Sequence, residues 1–272
     1  MADQDPDTEV GGRRTGVADC GGMSCPEDAR EVVRALKSGR LLEPVLRSQT
    51  PTCVTTRRGR KGWDRMSSLA PQPQDWTSAG CHPVVPGVYR IPLPMPQDGL
   101  RAVNVYVLES DGGLALVDAG WRVDGALDQL RDAFASLGRR LDEVTDVYVT
   151  HIHRDHYTLA PELRRRFGTR IHLGIGEAPG LRALQDLRSN VPLTSLEQLR
   201  RAGAKDLADR TLLRMREEPW DERDWEPPDT WLRPGRFSVG GRGLCALSTP
   251  GHTKGHLVFH DETAKLLFAG DH

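Results

Sequence analysis

THIHRDH, residues Thr150 to His156, follows directly on the apolar run TDVYV. That run reads as a β-strand, so the chain enters the motif extended. In an extended chain His151 and His153 stand two residues apart and point to one side, as two imidazoles must to share a metal ion. Asp155 and His156 come where the chain turns toward a helix, which lets them face a neighbouring position. The pattern is a strand-end cluster, unlike the i, i+4 histidines of a helical zinc site. With 9 His in 272 residues, H-x-H-x-D-H is expected by chance in roughly one chain in a thousand.

Working outward, two later segments repeat the arrangement. STPGHTKGH places His252 on a Pro250-Gly251 turn after an apolar strand, and LLFAGDH does the same with Asp271. Each puts a ligand type at a strand end, where loops gather sites above a sheet. Upstream, VYRIPL, AVNVYVLES and LALVDAG predict three strands, the last two joined in a hairpin at Asp111-Gly112-Gly113. In DGALDQLRDAFASLG, Leu127, Leu130, Phe134 and Leu137 recur at helical spacing and Gly138 closes the helix. A strand at TDVYVT, a short helix at APELRRRFG and a strand at TRIHLG follow. Residues 176–230 read as a helical, slightly acidic insert, and strands resume at FSV, GLCALSTP, HLVFHD and KLLFAGD. Alternating strands and helices predict an α/β class with a buried sheet.

VDAG, THIHRDH, TPGHTKGH and AGD, in that order, resemble the metallo-β-lactamase fold hydrolases from Val84 to His272. The resemblance implies an αββα sandwich with two divalent metal ions, usually zinc, in the cleft at the sheet edges. Carried over residue by residue, it makes His151, His153 and His252 ligands of the first metal and Asp155 and His156 ligands of the second. Asp271 would bridge both. Asp155 would also orient a metal-bound hydroxide, and Asp118 of VDAG would orient a ligand histidine from behind. TPGHTKGH is similar to the corresponding segment of glyoxalase II and related thioesterases. The implied activity is hydrolysis of a small-molecule thioester or other acyl ester. The alternatives are a lactonase, nuclease or β-lactamase-like hydrolase of the same fold, or a truncated non-catalytic member. Tyr157 is a candidate for lining the substrate pocket, with packing under the helix start as the competing reading. His256, His172 and His260 read as structural or surface residues, and His82 as linker.

Domain organisation is expected as an arm over residues 1–82 and a hydrolase domain over 83–272. The arm is mostly flexible, with one helix in SCPEDAREVVRALKSG, a solvated basic run RRGRK, and Met66 as an alternative start. The family pattern carries a further histidine well after the bridging aspartate. His272 adjoins Asp271 and points to the opposite face of an extended segment, so it is a poor substitute. The fold is therefore expected to be incomplete at its C-terminus, with the second metal weakly held.

Composition narrows the function. The chain is 38% hydrophobic with a formal net charge of -1, so nothing global draws it to nucleic acid or anionic lipid. No stretch of eighteen apolar residues is present, which predicts no membrane-spanning helix. The acidic start MADQDPDTEV lacks the features of a secretory signal and predicts a cytoplasmic protein. The 5 Cys include no C-x-x-C pair, which argues against a thiolate zinc site.

Overall fold

The structure is a computed structural model that describes residues 16–18, 75–96, 99–188, 193–216 and 220–272. The helix expected near residue 30, the basic run and Met66 lie outside the described residues. Eight strands form the larger sheet: β1 (Gly16–Ala18), β2 (His82–Val85), β3 (Val88–Pro94), β4 (Ala102–Ser110), β5 (Gly113–Val117), β6 (Val144–Val149), β7 (Arg170–Gly174) and β8 (Thr230–Leu232). Their spatial order is β1-β8-β7-β6-β5-β4-β3-β2. A second sheet holds β9 (Gly235–Val239), β10 (Arg242–Ser248), β11 (Leu257–Asp261) and β12 (Leu266–Phe268), in the order β12-β11-β10-β9. Within the stretch read as an arm, Gly16–Ala18 pairs in parallel with β8.

The larger sheet changes character at β5. From β2 to β5 neighbours are antiparallel, and Ser110 pairs with Gly113 across the expected hairpin. From β5 to β8 they are parallel, so each connection must cross over the sheet. Helix α1 (Ala126–Ser136) joins β5 to β6, while α2 (Arg154–Tyr157) and α3 (Leu159–Phe167) join β6 to β7. Helix α3 ends on Gly168 in the left-handed conformation at φ 77°, the stop that a glycine allows at low cost. Helices α4 (Ala178–Leu187), α5 (Leu193–Arg201) and α6 (Lys205–Arg216) occupy the connection to β8.

Alternation along each strand builds the layers. Val103, Val105, Leu114, Leu116, Val147 and Val149 face the helices and pack with Leu130, Phe134, Leu159 and Leu163. The intervening Ala115, Val117 and Tyr148 face the second sheet and meet Leu244, Ala246, Leu257 and Phe259. Cys245, Leu247 and Val258 form a separate cluster on the outer side of the second sheet, and no described helix residue belongs to it. The order of layers is helix, sheet, sheet. Among the described residues no helix is long and apolar enough to cross a membrane.

The parallel strands and the returning strands of the second sheet deliver their following loops to one edge of the sandwich. Asp118 follows β5, His151 follows β6, His252 follows β10 and Asp271 follows β12.

Candidate metal centre

Behind the site lies Asp118, only 3% exposed. Its backbone sits at φ 61°, a left-handed conformation that costs an aspartate about 1 kcal/mol or more and persists only where its surroundings impose it. Those surroundings are specific. Asp118 Oδ1 accepts the Thr150 N–H at 2.8 Å, and the Thr150 hydroxyl lies 3.0 and 3.1 Å from the two carboxylate oxygens. His156 Nδ1 stands 2.8 Å from Asp118 Oδ2. Thr150 Oγ1 is also 3.0 Å from His151 Nδ1. One buried carboxylate thus fixes the inner nitrogen of His156 directly and that of His151 through Thr150.

With their inner nitrogens held, both imidazoles turn Nε2 outward. His151 Nε2 is buried with no hydrogen-bond partner, although a bare buried nitrogen is costly, and the buried His156 Nε2 faces the carboxylates of Asp155 and Asp271. Around them the donors fall into two groups. His151, His153, His252 and Asp271 have donor atoms within 4.8 Å of one another, and so do Asp155, His156 and Asp271. Asp271 belongs to both. Its Oδ2 lies 3.1 Å from His252 Nε2 and 3.9 Å from His151 Nε2, while its Oδ1 lies 3.1 Å from His156 Nε2. Asp155 Oδ2 is 3.3 Å from that same His156 nitrogen. Donors to one zinc ion at bonds of about 2 Å stand roughly 3 to 4 Å apart. Imidazole nitrogens facing shared carboxylates therefore fit divalent cations.

The electrostatics agree. Burial, with His156, His153 and the other rings crowded around it, drives the His151 pKa far down, and burial beside His252 lowers that of His153. Both stay neutral, the form in which imidazole is a ligand. Burial also opposes charge on His156, but the carboxylates of Asp118, Asp155 and Asp271 outweigh it and push its pKa well above the ordinary imidazole value. The His156 contact keeps the Asp271 carboxyl below its ordinary range. Carboxylates that must recruit a proton are the ones a cation would neutralise instead.

For two neighbours the structure decides between readings that the sequence left open. His256, expected to be structural or surface, is 0% exposed and lies at the floor of the site. Its Nδ1 is 2.8 Å from Thr249 Oγ1 and its Nε2 accepts the Asp271 N–H at 3.3 Å. Burial lowers its pKa to about 4, so both nitrogens are engaged in a neutral ring that braces the Asp271 loop. Only its place in the glycine-rich turn pointed to it, and spacing alone could not show its depth. Tyr157, read either as a pocket residue or as packing under the helix start, is also 0% exposed. Its hydroxyl donates to the Glu226 carbonyl and its ring stacks with Trp225 at 6.4 Å. It packs into the helix-side core because α2 turns that position away from the donors. His172 pairs with Asp146, and His272 joins neither donor group.

Two backbone features lock the loops. The Leu257 N–H donates to the Thr150 carbonyl at 2.9 Å, joining the start of β11 directly to the strand-end motif. Gly270, at φ 52°, has no room for a side chain, since a Cβ there would stand 2.6 Å from Thr150 Oγ1 and 3.0 Å from His256 Nε2. A cavity of about 270 Å³ opens beside Asp155, His156 and Asp271, with Met95, Tyr106 and Phe268 among its walls.

Curated relatives share this region at low identity. A hydroxyacylglutathione hydrolase from Fuscovulum blasticum is 27% identical over 163 residues, covering 60% of this chain and 44% of the relative. One from Stenotrophomonas maltophilia is 28% identical over 165 residues, covering 61% and 43%. The chain thus spans under half the length of these two relatives. Among solved structures, a metallo-beta-lactamase family protein from Thermus thermophilus superposes with a TM-score of 0.57 at 31% identity, covering 68% of this chain and 59% of that one. A beta-lactamase domain protein from Burkholderia ambifaria gives a TM-score of 0.52 at 23% identity, covering 72% and 56%, which supports the fold alone. Residues 98–272 match the family model of the metallo-beta-lactamase superfamily, and the chain belongs to that superfamily.

Proposed function

We propose that the protein is a metal-dependent hydrolase that cleaves a small-molecule thioester or other acyl ester. The observation that carries this reading is Asp271, which offers one carboxylate oxygen to each donor group. His151, His153, His252 and Asp271 would hold one divalent cation, and Asp155, His156 and Asp271 a second. A set of imidazole and carboxylate donors suits zinc. Cations bound there would polarise the acyl carbonyl and lower the pKa of a water molecule.

The chain's own residues supply position and proton handling. Asp118 and Thr150 hold His156 and His151 so that only their outer nitrogens face the donors. The Asp155 carboxylate, beside His156 Nε2, accepts a hydrogen bond from the attacking water and aims it. His256 keeps the Asp271 backbone in place. The cavity beside the second group has apolar walls that suit the acyl portion of a small substrate. The hydroxyacylglutathione named in the curated relatives is an acyl thioester, which supports thioester over other bonds.

The reading is tested by metal analysis of the purified chain and by hydrolysis assays with S-lactoylglutathione, a lactone and a chromogenic cephalosporin. Bound divalent metal with fastest turnover of the thioester is the expected result. Metal-free, inert protein would defeat it. His153→Ala should abolish binding at the group that contains it, and full metal occupancy in that variant would refute the assignment.

A further inference from the structure

Glu177 lies on the turn after β7 and belongs to neither donor group, yet it is only 2% exposed. Burying a carboxylate is expensive unless something specific compensates. Among the described residues no cation pairs with it. Its partners all come from the loop between β10 and β11, which carries His252. The hydroxyl of Thr253, the residue after His252, donates to Glu177 Oε1, and the backbone at Gly255 lies close enough to favour the charged carboxylate. The two loops also meet backbone to backbone: a Cβ on Gly255 would collide with the Glu177 amide nitrogen and with Gly176. At 35% side-chain exposure His252 is, with Asp271 at 37%, one of the two donors of its group least enclosed by packing, beside His151 at 0%. Its place depends on how its loop is anchored.

We infer that Glu177 is a positioning residue for the metal centre: its buried carboxylate grips the loop at Thr253 and Gly255 and so fixes where His252 stands. The inference rests on the proposed role of His252 as a metal donor. Loss of the grip frees the loop on one side of the site while leaving His151 and His153 on the rigid end of β6. Partners in the outer shell of a metal site typically change affinity by about 10- to 100-fold.

The test is a cobalt(II) titration of the metal-free full chain, read by visible absorption, for the native protein, Glu177→Ala, Glu177→Gln and Thr253→Val. The thermal midpoint of each metal-free variant is measured alongside. Glu177→Ala is expected to weaken binding at least tenfold, Glu177→Gln to recover most of that loss because it keeps an acceptor oxygen, and Thr253→Val to fall between. A purely structural role would lower the metal-free midpoint without changing the affinity of folded protein. That pattern, or native affinity in Glu177→Ala, overturns the inference. Should Glu177→Ala not fold, native affinity in Thr253→Val overturns it and a weakened one supports it. Absence of cobalt binding by the native chain would instead defeat the metal reading itself, and this inference with it.

Discussion

Asp118 concentrates the design of the site in one side chain. It accepts from Thr150 and holds His156, yet it is not itself placed among the donors. Asparagine tolerates the same left-handed backbone, so Asp118→Asn isolates the charge from the conformation. Metal affinity is expected to fall by about 10- to 100-fold with the fold retained, as measured by competition with a chromogenic chelator and by circular dichroism. Gly270 is the opposite case, a residue needed for what it lacks. Gly270→Ala must push Thr150 or His256 aside at a backbone angle that side chains avoid, so urea denaturation should show a loss of about 1 to 3 kcal/mol. An unchanged midpoint would mean that the turn has slack the geometry does not show.

At the scale of elements, β6 carries a second polar arrangement away from the donors. Asp146 accepts from His172 at 2.7 Å and Arg170 at 2.8 Å on the neighbouring strand β7, and Tyr148 stacks on the His172 ring at 4.4 Å. Burial opposes the Asp146 charge, but these donors outweigh it and hold its carboxyl well below the usual carboxylate range. A depressed carboxylate contributes stability above its unfolded pKa of about 4, and that contribution is lost as the pH falls toward the folded value. Metal-free Asp146→Asn should therefore be less stable than the native chain at pH 6, with the difference shrinking toward pH 3. Urea midpoints at the two pH values check this.

The same scale shows what the sequence could disclose. Strands β3 to β7 and β9 to β12 were legible because alternating apolar residues face two different layers. Helix α1 was legible because Leu130 and Phe134 share one face. Strand β8 was not, since three residues between prolines carry too little pattern, and β2 is short and contains Pro83. The motif order exposed the donors, because each follows a strand directly. For His256 and Tyr157 the sequence left two readings each, for one reason: depth inside a turn depends on what the other loops pack over it, and no local spacing records that.

In the whole molecule the donors come from both halves of the sandwich. His151 and His153 belong to the larger sheet, and His252 and Asp271 to the smaller one. A cation held among them would tie the halves together and bind only the folded form. At free metal a hundredfold above the dissociation constant, this linkage is worth about 2.7 kcal/mol, which for a domain of this size corresponds to a melting shift on the order of 5 to 10 °C. Chelation should produce that drop in differential scanning calorimetry, and an identical midpoint with and without chelator would exclude a cation bridging the halves.

Two backbone bonds between the sheets, from the Leu257 N–H to the Thr150 carbonyl and from the Asp111 N–H to the Gly240 carbonyl, give this assembly its datum lines. Two sheets packed through smooth apolar side chains can slide past each other at small cost, but a hydrogen bond between main chains admits little sliding. With one bond at the very edge where the donors stand and the other at the opposite hairpins, the sandwich is held against slippage at both ends. The alignment beside the donors is therefore guarded from the opposite rim as well, where Gly240 packs against Ser110 with no room for a side chain.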